Sequence, residues 1–246
     1  MRSFDYVKAE TLQQALELIS QASKKYTILA GGTDVLVDLK NNKISPELLI
    51  DINKIPGLNY ITKKDDYIEL GALVTHFEVT QSELILNYGK ILAEASAKVG
   101  SPQIRNMGTI VGNVVNAQPA ADAAVALHAL NAELKVLNGC GERWVPVKDS
   151  YLGLGKSALA GQLVAAIRFI PLNNRQGSSF KRIARRESLA LPILNAAVVV
   201  QIEQEKFEWA RIYAAPVGPA PMKMNQAENF LKGKPVQDTV IKQAAE

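Results

Sequence analysis

One cysteine, Cys140, stands in a chain of 246 residues. A lone thiol excludes an internal disulfide, and it cannot hold an iron–sulfur cluster by itself. Its setting, Asn138-Gly139-Cys140-Gly141, reads as a hairpin turn, which favours an inert thiol over a nucleophile. Histidine is almost as scarce. His76 and His128 are far apart, and His128 falls in a helical Ala-Leu stretch, so neither supports a zinc site or a catalytic triad. No apolar run approaches the length of a membrane span. The first residues, Met1-Arg2-Ser3-Phe4-Asp5-Tyr6, lack the apolar stretch of a secretory signal. A cytoplasmic protein is expected. The densest basic run, Lys181-Arg182-Ile183-Ala184-Arg185-Arg186, has no stacking aromatics interleaved, and the formal net charge is only +4. That disfavours nucleic acid as a partner and makes the run a solvated strand face or a protein-docking patch. Internal repeats and low-complexity linkers are also missing.

What remains has the balance of a globular protein, with 48% hydrophobic and 21% charged residues,. Thr11-Leu12-Gln13-Gln14 has capping-box form and precedes Leu12, Ala15, Leu16 and Ile19 at helical spacing. Tyr26 to Ala30 and Leu48 to Ile52 read as short strands. Asn59 to Thr62 and Tyr67 to Gly71 form a hairpin around Lys63-Lys64-Asp65-Asp66. Leu84 to Val99 reads as one helix that stops before Pro102. An Ala-rich helix is expected to begin near Pro119, with proline in its first turn. Glu133 to Leu137 and Glu142 to Val147 make a hairpin across Cys140. Four strands then follow: Val164 to Ile170, Ser178 to Ile183, Ala196 to Glu203 and Phe207 to Ala215. Gln204-Glu205-Lys206 forms the turn between the last two. Helices at Gln226 to Lys232 and Val240 to Ala245 close the chain. Strands and helices mix without βαβ alternation, which makes the fold α+β.

Three segments carry small residues suited to a phosphate. In Gly153-Leu154-Gly155-Lys156-Ser157-Ala158 the context fails. A P-loop needs a glycine where Ser150 stands, and a dinucleotide fingerprint needs an acid where Arg175 stands. An ordinary surface loop is expected. The other two are Ile28-Leu29-Ala30-Gly31-Gly32-Thr33-Asp34 and Gly108-Thr109-Ile110-Val111-Gly112-Asn113. Glycine admits backbone N–H groups close to an anion. Together they form either a clamp for a diphosphate or two tight turns that need glycine only for conformation. Thr109 and Asn113 offer side-chain hydrogen bonds to phosphate. Asp122 either accepts from a ribose hydroxyl or caps the Ala-rich helix.

These residues resemble the paired FAD loops of the molybdenum hydroxylase flavoprotein subunits, the medium subunits of xanthine and carbon monoxide dehydrogenases. Ile104-Arg105-Asn106-Met107 extends the second loop. The likeness continues in Asn116 to Asp122, in Leu152 to Leu159 and in Phe180 to Arg186, over nearly the whole chain. It implies a two-subdomain FAD-binding domain of the PCMH type over residues 1–170, divided near residue 58. A small α+β C-terminal domain over 171–246 would follow, shorter than in family members that continue into another helical segment.

By resemblance, Ile28, Leu29, Ala30, Gly31, Gly32, Thr33, Asp34 and Val35 wrap the pyrophosphate together with Thr109, Ile110, Val111, Gly112 and Asn113. Asp122 binds near the ribose or ribityl hydroxyls. Val164 lies against the isoalloxazine, and Lys181 meets the flavin region, where its charge favours the anionic reduced flavin. Val111 stands where the family usually has glycine, so its backbone is expected to avoid φ > 0 or bear strain. Gln118 replaces the usual serine before Pro119. The implied function is electron transfer within a heteromeric complex. Iron–sulfur clusters on one partner subunit and molybdopterin on another serve this FAD, which reduces NAD+ or another acceptor. No side chain here need act as an acid–base catalyst. Two alternatives stay open: a self-sufficient FAD-dependent reductase, and a non-redox nucleotide-binding scaffold.

Overall fold

The computed structural model describes residues 2–139, 141–186 and 189–246. Its first unit is parallel. Strand β1 (Asp5–Lys8), helix α1 (Leu12–Gln21), β2 (Tyr26–Leu29), α2 (Val35–Lys40) and β3 (Leu48–Asp51) form a three-stranded sheet in the order β1–β3–β2. Thr11 caps α1 by accepting from the Gln14 N–H at 3.1 Å, and the Gln14 side chain accepts from the Glu10 N–H at 2.8 Å. The reciprocal bond of the predicted capping box thus lands one residue early. Ala15 is fully buried on the face of α1 turned to the core.

The second unit is antiparallel and holds most of the helices. It runs β4 (Ile61–Lys64), β5 (Tyr67–Gly71), α3 (His76–Gln81), α4 (Glu83–Tyr88), α5 (Lys90–Ser96), α6 (Pro102–Met107), α7 (Ile110–Val115), α8 (Asp122–Ala129), β6 (Glu133–Asn138) and β7 (Gly141–Pro146). A 3₁₀ turn at Val147–Ser150, β8 (Tyr151–Gly153), β9 (Lys156–Ser157) and β10 (Leu163–Phe169) complete it. The five-stranded sheet has the order β4–β5–β10–β6–β7. β10 is apolar from Leu163 to Ile167 because it lies inside the sheet, between β5 and β6, with these residues buried. Every residue of α8 is buried. Its alanines let it pack closely between α5 and α7 and against the third sheet.

That third sheet is a meander, β11 (Gln176–Ala184), β12 (Pro192–Glu203), β13 (Lys206–Ala215) and β14 (Met222–Lys223), packed with α9 (Asn225–Leu231) and α10 (Asp238–Ala245). Gln204 and Glu205 both have positive φ, +48° and +60°, the backbone of a two-residue hairpin turn,. Lys206 therefore belongs to β13 rather than to the turn. The units are tied by single bonds as well as by packing. The Tyr26 hydroxyl donates to the Gly161 carbonyl at 2.6 Å, and the Phe180 N–H donates to Glu94 Oε2 at 2.9 Å.

The architecture is α+β, with parallel strands confined to the first sheet. Three local expectations are corrected. The helix read across Leu84 to Val99 is two helices, because Gly89 takes φ −156° and the ring of the buried Phe169 occupies the space a side chain would need. Pro119 precedes α8 instead of sitting in its first turn. Ile110 to Asn113 are helical, so the second glycine loop is a helix start and not an open loop. The Cys140 turn lies outside the described residues, although the flanking Asn138 and Gly141 pair as a hairpin requires.

Candidate cofactor cradle

β2 delivers Ile28 and Leu29 into the loop Ala30–Asp34, and the exit of the strand is pinned by polar contacts. Asn53 Nδ2 donates to the Ala30 carbonyl at 2.8 Å and to Asp51 Oδ1 at 2.8 Å. The Tyr6 hydroxyl donates to the other oxygen of Asp51. Those bonds hold the Asp51 carboxyl below its ordinary range against the opposing effect of burial,. Gly32 adopts φ +74°, the left-handed conformation that glycine reaches without strain,. Gly31 is required for a different reason. A Cβ there would come within 2.0 Å of the Met107 carbonyl oxygen and 3.0 Å of Gly108 Cα. The two glycine segments, remote in sequence, are therefore in backbone contact.

The N–H groups of Gly31, Gly32, Thr33 and Asp34 have no acceptor among the described residues. Burial and the neighbouring Asp38 push the Asp34 carboxyl above its usual range. Val35 opens α2.

Helix α6 ends at Gly108, whose N–H bonds the Ile104 carbonyl at 2.7 Å. Thr109 then caps α7, its hydroxyl accepting from the Gly112 N–H at 3.1 Å. A short antiparallel bridge between Thr75 and Thr109 anchors this corner. It consists of the His76 N–H on the Gly108 carbonyl and the Ile110 N–H on the Val74 carbonyl, both at 3.0 Å. Ile110 and Val111 point into the core. Val111 lies within α7 and has no positive φ, so the strain expected at that position is absent. Asn113 Oδ1 is buried and has no partner among the described residues. Behind Gly108 sits His76, fully enclosed, with Nδ1 3.4 Å from the Ser96 hydroxyl. Burial, with Arg105 adding to it, lowers its pKa to about 4, so the ring is neutral,.

The other expected contact residues stand apart from the loops. Asp122 begins α8 but does not cap it. Its Oδ1 accepts from Asn195 Nδ2 at 2.9 Å, and Oδ2 lies 3.3 Å from Arg182 Nη1. Burial raises the Asp122 carboxyl pKa, while Asn195, Arg182 and Lys98 oppose that rise. Val164 is buried in β10 at a register shift beside β6. Lys181 is exposed on β11 opposite Ala196. Segment 153–158 forms the β8–β9 hairpin, docked by the Gly155 N–H on the Ala117 carbonyl at 3.0 Å.

Sequence reasoning missed Asn53, Asn195 and the approach of Gly31 to the Met107 carbonyl, and it misread Arg182. The basic run is not uniformly solvated, since the Arg182 side chain is only 5% exposed. The signal was the period of two along β11, which puts Arg182 on the same face as the buried Phe180,.

Free N–H groups on one loop, a backbone approach that only glycine allows, and an orphaned acceptor at Asn113 suit the phosphates and hydroxyls of a dinucleotide. A family model, the FAD binding domain in molybdopterin dehydrogenase, matches residues 2–172. The chain belongs to this family. A second model, the CO dehydrogenase flavoprotein C-terminal domain, matches residues 178–246 of the flavoprotein. Among its relatives, the 6-hydroxypseudooxynicotine dehydrogenase complex subunit alpha of Paenarthrobacter nicotinovorans is 38% identical over 231 residues, 93% of this chain and 78% of that protein. The nicotinate dehydrogenase FAD-subunit of Eubacterium barkeri is 30% identical over 242 residues, 96% of this chain and 82% of its own. Carbon monoxide dehydrogenase from Hydrogenophaga pseudoflava, in a structure lacking the Mo-pyranopterin moiety, superposes with a TM-score of 0.94 at 27% identity. That match covers 99% of this chain and 85% of the other. The flavoprotein is thus an FAD-binding, oxidoreductase-type subunit of the molybdenum hydroxylase family.

Proposed function

We propose that this chain holds FAD as the electron-relay subunit of a heteromeric molybdenum hydroxylase. It would receive electrons from iron–sulfur clusters on one partner chain, with molybdopterin on another, and deliver them to NAD+ or a different acceptor. The observation that carries the reading is the contact of Gly31 with Met107 and Gly108, which turns two remote segments into one cradle lined by free N–H groups. Gly31 to Asp34 would hold the pyrophosphate, with Thr109, Gly112 and Asn113 closing its other side. Ile28, Leu29, Ile110 and Val111 would set the loops from the core. Asp122 would face the cofactor hydroxyls, Val164 would support the ring system, and Lys181 would add positive charge beside it.

Bound FAD supplies the conversion between single- and paired-electron transfer, and the chain's task is to place and tune it. The names of relatives support a shared enzyme: one is a complex subunit, another an FAD-subunit, and a third the medium chain of carbon monoxide dehydrogenase. With a single cysteine in 246 residues, the clusters fall to another chain,.

The test uses the assembled complex. NADH is expected to bleach the flavin and then the cluster absorbance of the partner. Flavin that stays oxidised beside dithionite-reduced clusters would overturn the relay. If reduced clusters do bleach the flavin while NADH does not, the relay stands and the acceptor is not NAD+. Sustained turnover by the isolated chain would favour the self-sufficient reductase.

A further inference from the structure

Beyond the loops, the third sheet reaches the second unit through a buried polar cluster. β11 and β12 pair so that Arg182 stands directly opposite Asn195. Both side chains meet Asp122, the first residue of α8. The cluster is buried: the side chains of Arg182 and Asp122 are 5% and 7% exposed, and Asn195 is fully buried. Arg182 also donates to the carbonyls of Lys98 and Ala190.

Two atoms of the cluster are left over. Arg182 Nε, a donor, and Asn195 Oδ1, an acceptor, are buried without a partner among the described residues. Buried polar atoms without partners are costly, and a hydroxyl can satisfy one donor and one acceptor at once. The helix that Asp122 opens, α8, follows α7 of the cradle and packs against it. On α7, Asn113 Oδ1 is orphaned in the same way.

We infer that Arg182 and Asn195 are positioning residues for the cofactor, latching the C-terminal sheet onto α8 through Asp122, so that closing the latch and filling the cradle are one coupled event. The inference rests on the FAD reading above. It follows from removing a charge partner in a dry site. Without Arg182, the buried Asp122 carboxylate loses its ion-pair partner and is held by Asn195 on one oxygen only,. Coupling is reciprocal, so bound FAD tightens the docking of the sheet by the factor that docking contributes to FAD affinity.

The experiment is amide hydrogen exchange on the full chain, with and without saturating FAD, for wild type, Arg182→Met and Asn195→Ala. In wild type, FAD is expected to slow exchange across Gln176–Ala184 and Pro192–Glu203 by about tenfold. In both variants FAD affinity falls, by about tenfold for Arg182→Met. At saturation the FAD-dependent protection is lost, and exchange without FAD rises as well, because the latch contacts form before FAD binds. A merely structural role would raise the exchange without FAD yet leave its slowing by FAD intact. If circular dichroism shows that Arg182→Met does not fold, Asn195→Ala decides, because it keeps the ion pair. Wild type that takes up FAD with exchange in β11 and β12 unaltered refutes the latch alone, as do variants that bind and protect like wild type. Wild type that fails to take up FAD refutes the FAD reading and the latch with it.

Discussion

His76 shows how much a single enclosed side chain can reveal. It sits behind Gly108 and gives its own N–H to that residue's carbonyl, so the ring and the backbone support the same corner of the cradle. Its neutral state has a measurable consequence. In the unfolded chain the imidazole takes up a proton near pH 6.5, whereas in the folded chain it does so only near pH 4,. The folded state thus binds fewer protons in that window. Its stability is unaffected by His76 above the unfolded pKa and falls as pH drops toward 4, by about 3 kcal/mol at the lower end. Urea unfolding of wild type and His76→Gln at pH 7.5 and pH 5 should show a smaller loss for the variant. Equal losses would place the pH dependence elsewhere. Other residues were legible without coordinates: Gly31 and Gly32 were marked as glycines that matter. Their two reasons differ, a close backbone approach and a positive φ, and only the fold separates them. Val111 was read as a departure from pattern, and the start of α7 removes any strain at that position.

Secondary elements followed local chemistry wherever the signal was local. The three long strands of the third sheet, the hairpin of β4 and β5 (with Lys63 and Lys64 in the strand rather than the turn) and the cap at Thr11 came from alternation, turn residues and capping chemistry, while the short β14 was missed. The misses had distant causes. Nothing near Gly89 announces that Phe169 will lie on it, so an apolar stretch with helical spacing looked continuous. Gly89→Ala tests that account. In an exposed helix the change gains up to about 1 kcal/mol, but here the new methyl group would lie 2.6 Å from Phe169 Cζ. Overpacking of this kind costs about 1–3 kcal/mol. Gly89→Ala should therefore lower the melting temperature, and Phe169→Leu added to it should restore part of the loss. A more stable Gly89→Ala would show that the helix break is set by something other than the ring.

At the scale of the whole molecule, the third sheet packs on α8 while the parallel unit meets the antiparallel one at the glycine corner, and each contributes something the others lack. The parallel unit supplies the free N–H groups, the antiparallel unit supplies the surface against which Gly31 closes, and the third sheet supplies Arg182 and Asn195. The fold class and the two loops could be read in the sequence because composition, turn chemistry and loop wording are local. The latch could not be, since a cross-strand pair opposite a helix start exists only after the sheets have docked. The account depends on the cradle holding FAD, and the direct measurement is a fluorescence titration of FAD into the purified chain, wild type beside Gly31→Ala. Wild type should quench the flavin with one FAD bound per chain. Gly31→Ala, folded by circular dichroism, should bind at least about tenfold more weakly, because a methyl group 2.0 Å from the Met107 carbonyl forces the two loops apart,. Wild type that carries no flavin and takes up none, or a Gly31→Ala variant that binds FAD as tightly as wild type, would contradict it.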